Sequence, residues 1–216
     1  VGAAALSANT TGTANVAVGK GALDANTTSN YSTAVGFSAL TASTGAENTA
    51  FGAYALVTCS TGIQNTALGY SALEKVTTGQ YNTAVGHKAL EENLASNNTA
   101  IGFGALEANT TGTGNVAIGV QALENATTAN YNTAVGLQAL DTCTTGANNT
   151  AVGFYAAYSL TTGTKNTALG QSALQGCTDG VNNVAIGYEA GTADWADNNT
   201  AVGYRALKVN TSDNNT

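Results

Sequence analysis

Few residues in this chain of 216 could carry out chemistry. The one histidine, His87, stands beside Lys88. Nucleophilic and acid–base catalysis need a nucleophile, a base and an orienting group held together, and no such combination accompanies this histidine. None of the glycine-rich stretches leads into a helix, as a phosphate-binding loop requires. We therefore expect a protein that is not an enzyme and binds no cofactor.

A set of carboxylates recurs at nearly equal intervals and would stack in successive coils of a repeat structure. They are Glu74, Glu91, Glu107, Glu124 and Asp141. Calcium prefers clusters of oxygen ligands, but the aspartate-rich nonapeptide of calcium-binding β-rolls is missing. Stacked like charges repel each other unless they splay into water. We interpret the set as a solvated face and predict no metal site, with calcium binding as the alternative.

The three cysteines share one position in the repeat, because Cys59, Cys143 and Cys177 each lie seven residues after a regularly spaced glycine. Stacked strands lie about 4.8 Å apart, so even Cys143 and Cys177, two coils apart, exceed the reach of a disulfide, about 7 Å between Cα atoms. Small hydrophobic residues in a turn are the first interpretation, and disulfides between chains are the second.

The elements that must position all of these residues are short repeats, each marked by one glycine, which we call the phase glycine. Successive phase glycines are separated by 16 or 17 residues. They are Gly2, Gly19, Gly36, Gly52, Gly69, Gly86, Gly102, Gly119, Gly136, Gly153, Gly170, Gly187 and Gly203. A short period sustained over the whole chain indicates a solenoid. The sequence predicts an all-β parallel β-solenoid, a β-roll of about 13 coils over residues 1–216.

The residues before each phase glycine form a predicted strand of the type Asn-Thr-Ala-Val-Gly. Four residues before the glycine stands asparagine in every coil but one, where Ser32 replaces it. Identical amides stacked one strand apart can form a hydrogen-bonded ladder. The predicted Asn ladder comprises Asn15, Asn48, Asn65, Asn82, Asn98, Asn115, Asn132, Asn149, Asn166, Asn183 and Asn199.

Strand alternation places threonine and valine on one face of this strand and asparagine and alanine on the other. Neither face carries long polar side chains, so we predict that both are covered, one by the return segment of the coil and one by a second chain. The recurring Ala-Leu pair after each glycine, as in Ala39-Leu40, predicts a second strand. Ala157 and Gly191 replace the leucine of this pair in two coils, where we expect a looser interior. Turn residues such as Asn109 and Gly112 are expected to supply positive φ.

The residue after the phase glycine is aromatic in many coils: Phe37, Tyr70, Phe103, Phe154, Tyr188 and Tyr204. Exposed rings on a rigid scaffold can stack on sugars or build a protein interface. We favour an interface between chains over a glycan-binding surface.

Composition limits the class of protein. A net charge of −7 argues against nucleic-acid binding. No apolar run approaches the roughly 20 residues that span a bilayer, so the chain is not expected to be embedded in a membrane. Because it opens and closes within repeats, we expect it to be part of a longer array.

The repeat Asn-Thr-Ala-Val-Gly-x-x-Ala-Leu resembles the repeats of bacteriophage tail-fibre proteins. The variants at Asn115–Gly119 and Asn183–Gly187 are similar to the head repeats of trimeric autotransporter adhesins. The resemblance covers the whole chain. It implies a parallel β-roll, often trimeric, that serves as a shaft or adhesive head outside the cell or on a virion.

We therefore expect a non-enzymatic structural repeat of an extracellular, cell-surface or virion fibre. Its expected partner is itself, as a trimer or as an end-to-end filament. Binding of a cell-surface glycan or receptor through the aromatic residues is the alternative. Ice binding is less favoured, because each strand offers only one threonine, and valine sometimes replaces it.

Overall fold

The computed structural model describes residues 1–209 and 211–215. The chain forms two compact units, Val1–Thr111 and Gly112–Thr216. Within the described ranges the regular structure consists of twelve strands of three residues each, and there is no helix. The predicted parallel β-solenoid is confirmed, with twelve strands where the glycines suggested about thirteen coils. The difference arises at Gly2, since only Val1 precedes it.

In the first unit the strands pair in chain order, each parallel to the next. They are β1 (Val16–Val18), β2 (Thr33–Val35), β3 (Thr49–Phe51), β4 (Thr66–Leu68), β5 (Thr83–Val85) and β6 (Thr99–Ile101). The register is constant, so that alanine pairs with alanine in every step, as Ala34 does with Ala50. Coils of 16 and 17 residues therefore present identical strands.

The second unit repeats this arrangement. Its strands are β7 (Val116–Ile118), β8 (Thr133–Val135), β9 (Thr150–Val152), β10 (Thr167–Leu169), β11 (Val184–Ile186) and β12 (Thr200–Val202). In every strand the central alanine is buried while its two neighbours are exposed or half-exposed, as in β3 and β10. The alanine and asparagine side of the strand is thus covered by the same chain.

The prediction of a second strand at the Ala-Leu pair is wrong. Ala39 and Leu40 lie in a turn, and Leu40 has a φ of 50°. Its amide still donates to the carbonyl of Ala55 in the next coil. A left-handed non-glycine residue costs about 1–2 kcal/mol, and full burial of a leucine side chain contributes about 1.5–3 kcal/mol. Burial therefore outweighs the strain, and the leucines line the interior.

The glycines that close the Thr-Thr-Gly turns, such as Gly12 and Gly79, do not have the positive φ that was expected. In one coil, positive φ occurs instead at Tyr81, Lys88 and Leu90 (φ 59°, 59° and 54°). The turn glycine Gly79 is required for another reason. A Cβ atom at this position would lie 2.3 Å from the carbonyl oxygen of Ala95. Glycine is needed here because adjacent coils approach closely.

The interior at Gly191 is filled, where a looser interior was expected. Trp195 is only 1% exposed, and a Cβ atom on Gly191 would lie 2.3 Å from its Cζ2 atom. The indole Nε1 donates to the carbonyl of Leu207 at 3.3 Å. In the coil of Ala157, the larger Leu160 is buried at the position that holds cysteine in other coils. Both coils replace the missing leucine with a bulky residue elsewhere.

Candidate functional site

The predicted Asn ladder lies on the inner side of the strands. Its members from Asn48 onward are buried, and Asn15 is half-buried. In the first unit, the backbone N–H of Asn65 donates to Oδ1 of Asn48 at 3.0 Å, and Asn82 donates to Asn65 in the same way. In the second unit the backbone N–H groups of Asn149 and Asn166 each donate to Oδ1 of the preceding ladder asparagine at 2.9 Å. The missing member is replaced by Ser32, whose hydroxyl accepts from the N–H of Asn48.

The side-chain amides of the ladder also form hydrogen bonds that link the turns to the strands. Nδ2 of Asn65 donates to the carbonyl of Gly79 at 2.9 Å, and Nδ2 of Asn149 donates to that of Gly163 at 2.8 Å. One side chain thus satisfies a buried turn carbonyl and the buried amide of the next strand. Buried backbone groups without partners are costly, so asparagine is favoured at this position, with Ser32 as the one exception.

The opposite side of the strands is an open surface, which we call the outer face. It comprises three columns. These are the residue three positions before the phase glycine, the residue one position before it, and the residue directly after it. A fourth set, five residues before the glycine, borders it, and we call this set the corner column. Among the described residues, all exposed large hydrophobic side chains except Leu94 and Val209 lie in these four columns. Such a concentration indicates an interaction surface.

The two central columns of the outer face carry no charge. They contain threonine or valine before the alanine, and valine, isoleucine, leucine or phenylalanine after it. Phe51 is 53% exposed and Leu68 is 45% exposed. The sequence predicted that a second chain covers one of the two faces, and this is the face that the coil itself does not cover. In the single chain it is open to solvent.

The column after the phase glycine, the aromatic column, forms a continuous set of ring contacts in the first unit. Phe37 and Tyr70 both contact Tyr54, which lies one residue further along, with centroid distances of 5.3 and 5.7 Å. His87 stacks between Tyr70 and Phe103 at 5.3 Å on both sides. The isolated histidine of the sequence is therefore part of an aromatic stack.

In the second unit the aromatic column is interrupted. Phe154 packs against Tyr155 at 4.0 Å. Tyr188 and Tyr204 stack at 5.5 Å, and the Arg205 guanidinium lies 5.9 and 5.1 Å from their ring centroids. Sequence reasoning identified the rings after the phase glycine but missed Tyr54 and Tyr155, because adjacent columns meet at the corner of the coil. It also left out His87, although this residue directly follows the phase glycine Gly86.

The carboxylate set is less solvated than expected. Its glutamates are half-buried and Asp141 is buried. In the first unit Lys88 forms ion pairs with Glu91 at 3.1 Å and Glu107 at 3.4 Å. In the second unit burial, followed by the neighbouring charge of Glu124, raises the pKa of Asp141 to about 6. The described residues contain no group of three or more His, Cys, Asp or Glu side chains arranged to hold a metal ion.

The cysteines occupy the interior, and all three are free and buried. Burial raises the pKa of Cys59 and Cys177 to about 11 and that of Cys143 to about 12. The first interpretation, small residues in a turn, agrees with this placement. Disulfides between chains are not compatible with it, because no buried thiol reaches the surface.

No pocket opens among the described residues. No helix there is long and apolar enough to cross a membrane. Comparison with family models, with curated proteins and with solved structures gives no match for this chain. The resemblance to tail-fibre and adhesin repeats therefore stays a prediction, and the outer face is the best candidate for a functional site.

Proposed function

We propose that this chain is a non-enzymatic structural repeat of an extracellular or virion fibre, as a shaft, filament or adhesive head. The observation that carries the proposal is the repetition of the same buried contacts from coil to coil within each unit. The amide ladder, the interior leucines and the strand pairing bind each coil to its neighbours. Such a unit extends by addition of coils and resists extension along its axis through many parallel hydrogen bonds.

The proposed partner is a second copy of the chain, within a homotrimer. Exposed apolar surface is concentrated on the outer face, and its central columns are free of charge. Burying this surface between chains would stabilise the assembly by roughly 25 cal/mol for each Å² of apolar area. An end-to-end filament is the other arrangement, and it would use the first and last coils instead of this face.

Mass in solution tests the proposal. We expect light scattering to report three times the chain mass of 21.4 kDa. Leu68→Glu places a charge on the outer face and should shift the mass to that of one chain. Ala42→Glu, at an exposed site outside the four columns, is the matched control and should leave the mass unchanged. A wild-type chain that is monomeric at high concentration would refute the trimer.

Glycan binding is a second candidate, supported by the exposure of rings such as Phe37, Tyr70 and Phe103. Sugars stack on ring faces, whereas Tyr70 and Phe103 turn one face toward His87. This geometry favours contacts at the ring edges and therefore favours the interface. A glycan array decides between the two, because hits lost in Tyr70→Ala would support glycan binding. Ice binding is tested by thermal hysteresis, and we expect none, because Phe51 and Leu68 interrupt the threonine and valine array.

A further inference from the structure

Asp141 is a buried acid of the second unit, and it is only 4% exposed. Its Oδ1 atom accepts from Nδ2 of Asn125 at 3.1 Å, and its Oδ2 atom accepts from Nε2 of Gln138 at 3.2 Å. Both donors are neutral amides, and no ion pair among the described residues includes Asp141. Burial of an ionised carboxylate without a cation is costly, and a proton removes that cost.

Glu124 precedes Asp141 by 17 residues in the same column, so the two acids, which we call the acid pair, lie in successive coils. The backbone N–H of Asn125 donates to the carbonyl of Asp141 at 3.1 Å and joins these coils beside the pair. Nε2 of Gln121 donates to Oε2 of Glu124 at 2.8 Å. In the following coil, the negative charge of Asp141 raises the pKa of Tyr158. The groups around Asp141 are thus a second acid, a phenol and two amides.

In the first unit a cation neutralises acids of the same column. Lys88, two residues after its phase glycine, pairs with Glu91 in its own coil at 3.1 Å and with Glu107 in the next coil at 3.4 Å. Gln121 stands at the equivalent position of the second unit, and its φ of 56° is close to the 59° of Lys88. It has the same place relative to the acid pair, but an amide brings no charge. Something other than a lysine must neutralise the pair.

We propose that the acid pair holds one proton between its two carboxyl groups in place of a lysine, and that this proton makes the contact between the two coils depend on pH. In the singly protonated pair, the carboxyl group of Asp141 donates its O–H to the carboxylate of Glu124. Hydrogen bonds to an ionised acceptor are stronger than those between neutral groups. Loss of the proton leaves two negative charges side by side, which repel each other. The contact is therefore tight in acid and weakens when the proton leaves.

The direction of the pH response follows from the pKa of Asp141. Burial, followed by the neighbouring charge of Glu124, raises this pKa from 3.8 to about 6. The folded state thus holds the proton more tightly, so the stabilisation is complete below about pH 4 and is lost as the pH rises through about 6. Across this range the opening equilibrium of the two coils changes by up to about 100-fold. Protection of the Asn125 amide against hydrogen exchange, corrected for the intrinsic rate, should fall by a similar factor.

Carboxyl ¹³C resonances, followed by NMR through a pH titration of the native chain, test the shared proton. The Asp141 resonance should titrate with a midpoint near pH 6. Gln121→Lys places a cation beside both acids, as Lys88 does for its two glutamates, and should lower the midpoint by about 1–3 pH units. Glu124→Gln preserves the shape of the side chain and removes the neighbouring charge. It should lower the midpoint by a smaller amount, because the burial of Asp141 remains.

The controls separate charge from shape and place. Gln121→Met brings no charge and should not lower the midpoint, and Glu74→Gln, in the same column of the first unit, should leave it unchanged. A wild-type midpoint near pH 4, or one that neither Gln121→Lys nor Glu124→Gln lowers, would overturn the shared proton. An Asn125 amide that is equally protected on both sides of pH 6 would overturn the pH-dependent contact. These outcomes are independent of the proposed trimer, whose test is the mass in solution.

Discussion

Removal of one ladder amide, in Asn149→Ala, is the most direct test of what holds the coils together. In the native protein its Nδ2 donates to the carbonyl of Gly163 at 2.8 Å, and its Oδ1 accepts from the backbone N–H of Asn166 at 2.9 Å. The substitution leaves both buried backbone groups without that partner. At about 1–3 kcal/mol for each unsatisfied group, the expected loss is about 2–6 kcal/mol. This is a large fraction of the 5–15 kcal/mol typical of a folded domain.

Hydrogen exchange gives the local readout, because repeat proteins need not unfold in one step. The amide of Asn166 should lose protection in Asn149→Ala, together with its neighbours in β10, while chemical denaturation reports the loss of unfolding free energy. The matched control is Asn148→Gly, which removes an exposed amide at φ 60° and should change stability by less than about 1 kcal/mol. If the two variants are equally stable and Asn166 remains protected, the amide ladder does not hold the coils.

Three further predictions concern the interior. Trp195→Ala should cost about 3–5 kcal/mol through the cavity it leaves, and Gly191→Ala should also destabilise because its Cβ would meet the indole at 2.3 Å; thermal melts measure both. Burial raises the pKa of Asp141 from its ordinary 3.8 to about 6, so the folded state binds this proton more tightly. Stability should therefore fall by up to about 3 kcal/mol as pH rises from about 4 to 6, and Asp141→Asn should abolish this dependence. The three cysteines should resist a thiol reagent at pH 8 until the chain unfolds, because the reactive thiolate is suppressed by burial; rapid labelling of the native chain would contradict their placement.

Much of the fold could be predicted from the sequence, because each coil repeats the same local requirements. The phase glycines identify the coil, and strand alternation separates the asparagine and alanine face from the threonine and valine face. Residues of one type at one spacing must lie in equivalent environments when coils stack, so the equivalence of these positions follows from the period alone. Asn65 and Asn149 accordingly make equivalent contacts in the two units, because the backbone N–H of Asn82 donates to Asn65 and that of Asn166 donates to Asn149.

The conformation of the turns could not be predicted in the same way. Propensity assigns positive φ to glycine, yet Gly79 is needed for the close approach of the next coil and Leu90 takes the left-handed conformation. The energy of burying the leucine side chain exceeds the cost of its backbone. That balance depends on contacts between coils, which local propensity does not contain. The packing of Trp195 into the space left by the missing leucine at Gly191 could not be predicted for the same reason.

The amino-acid sequence by itself determined the period and the parallel solenoid, because these follow from spacing and residue type. Only the tertiary structure decided which side of the strand stays open and which rings meet across adjacent columns. His87 illustrates the division. The sequence shows an isolated histidine, whereas the fold brings it within 5.3 Å of two rings from neighbouring coils, because stacking places residues 16 or 17 positions apart side by side.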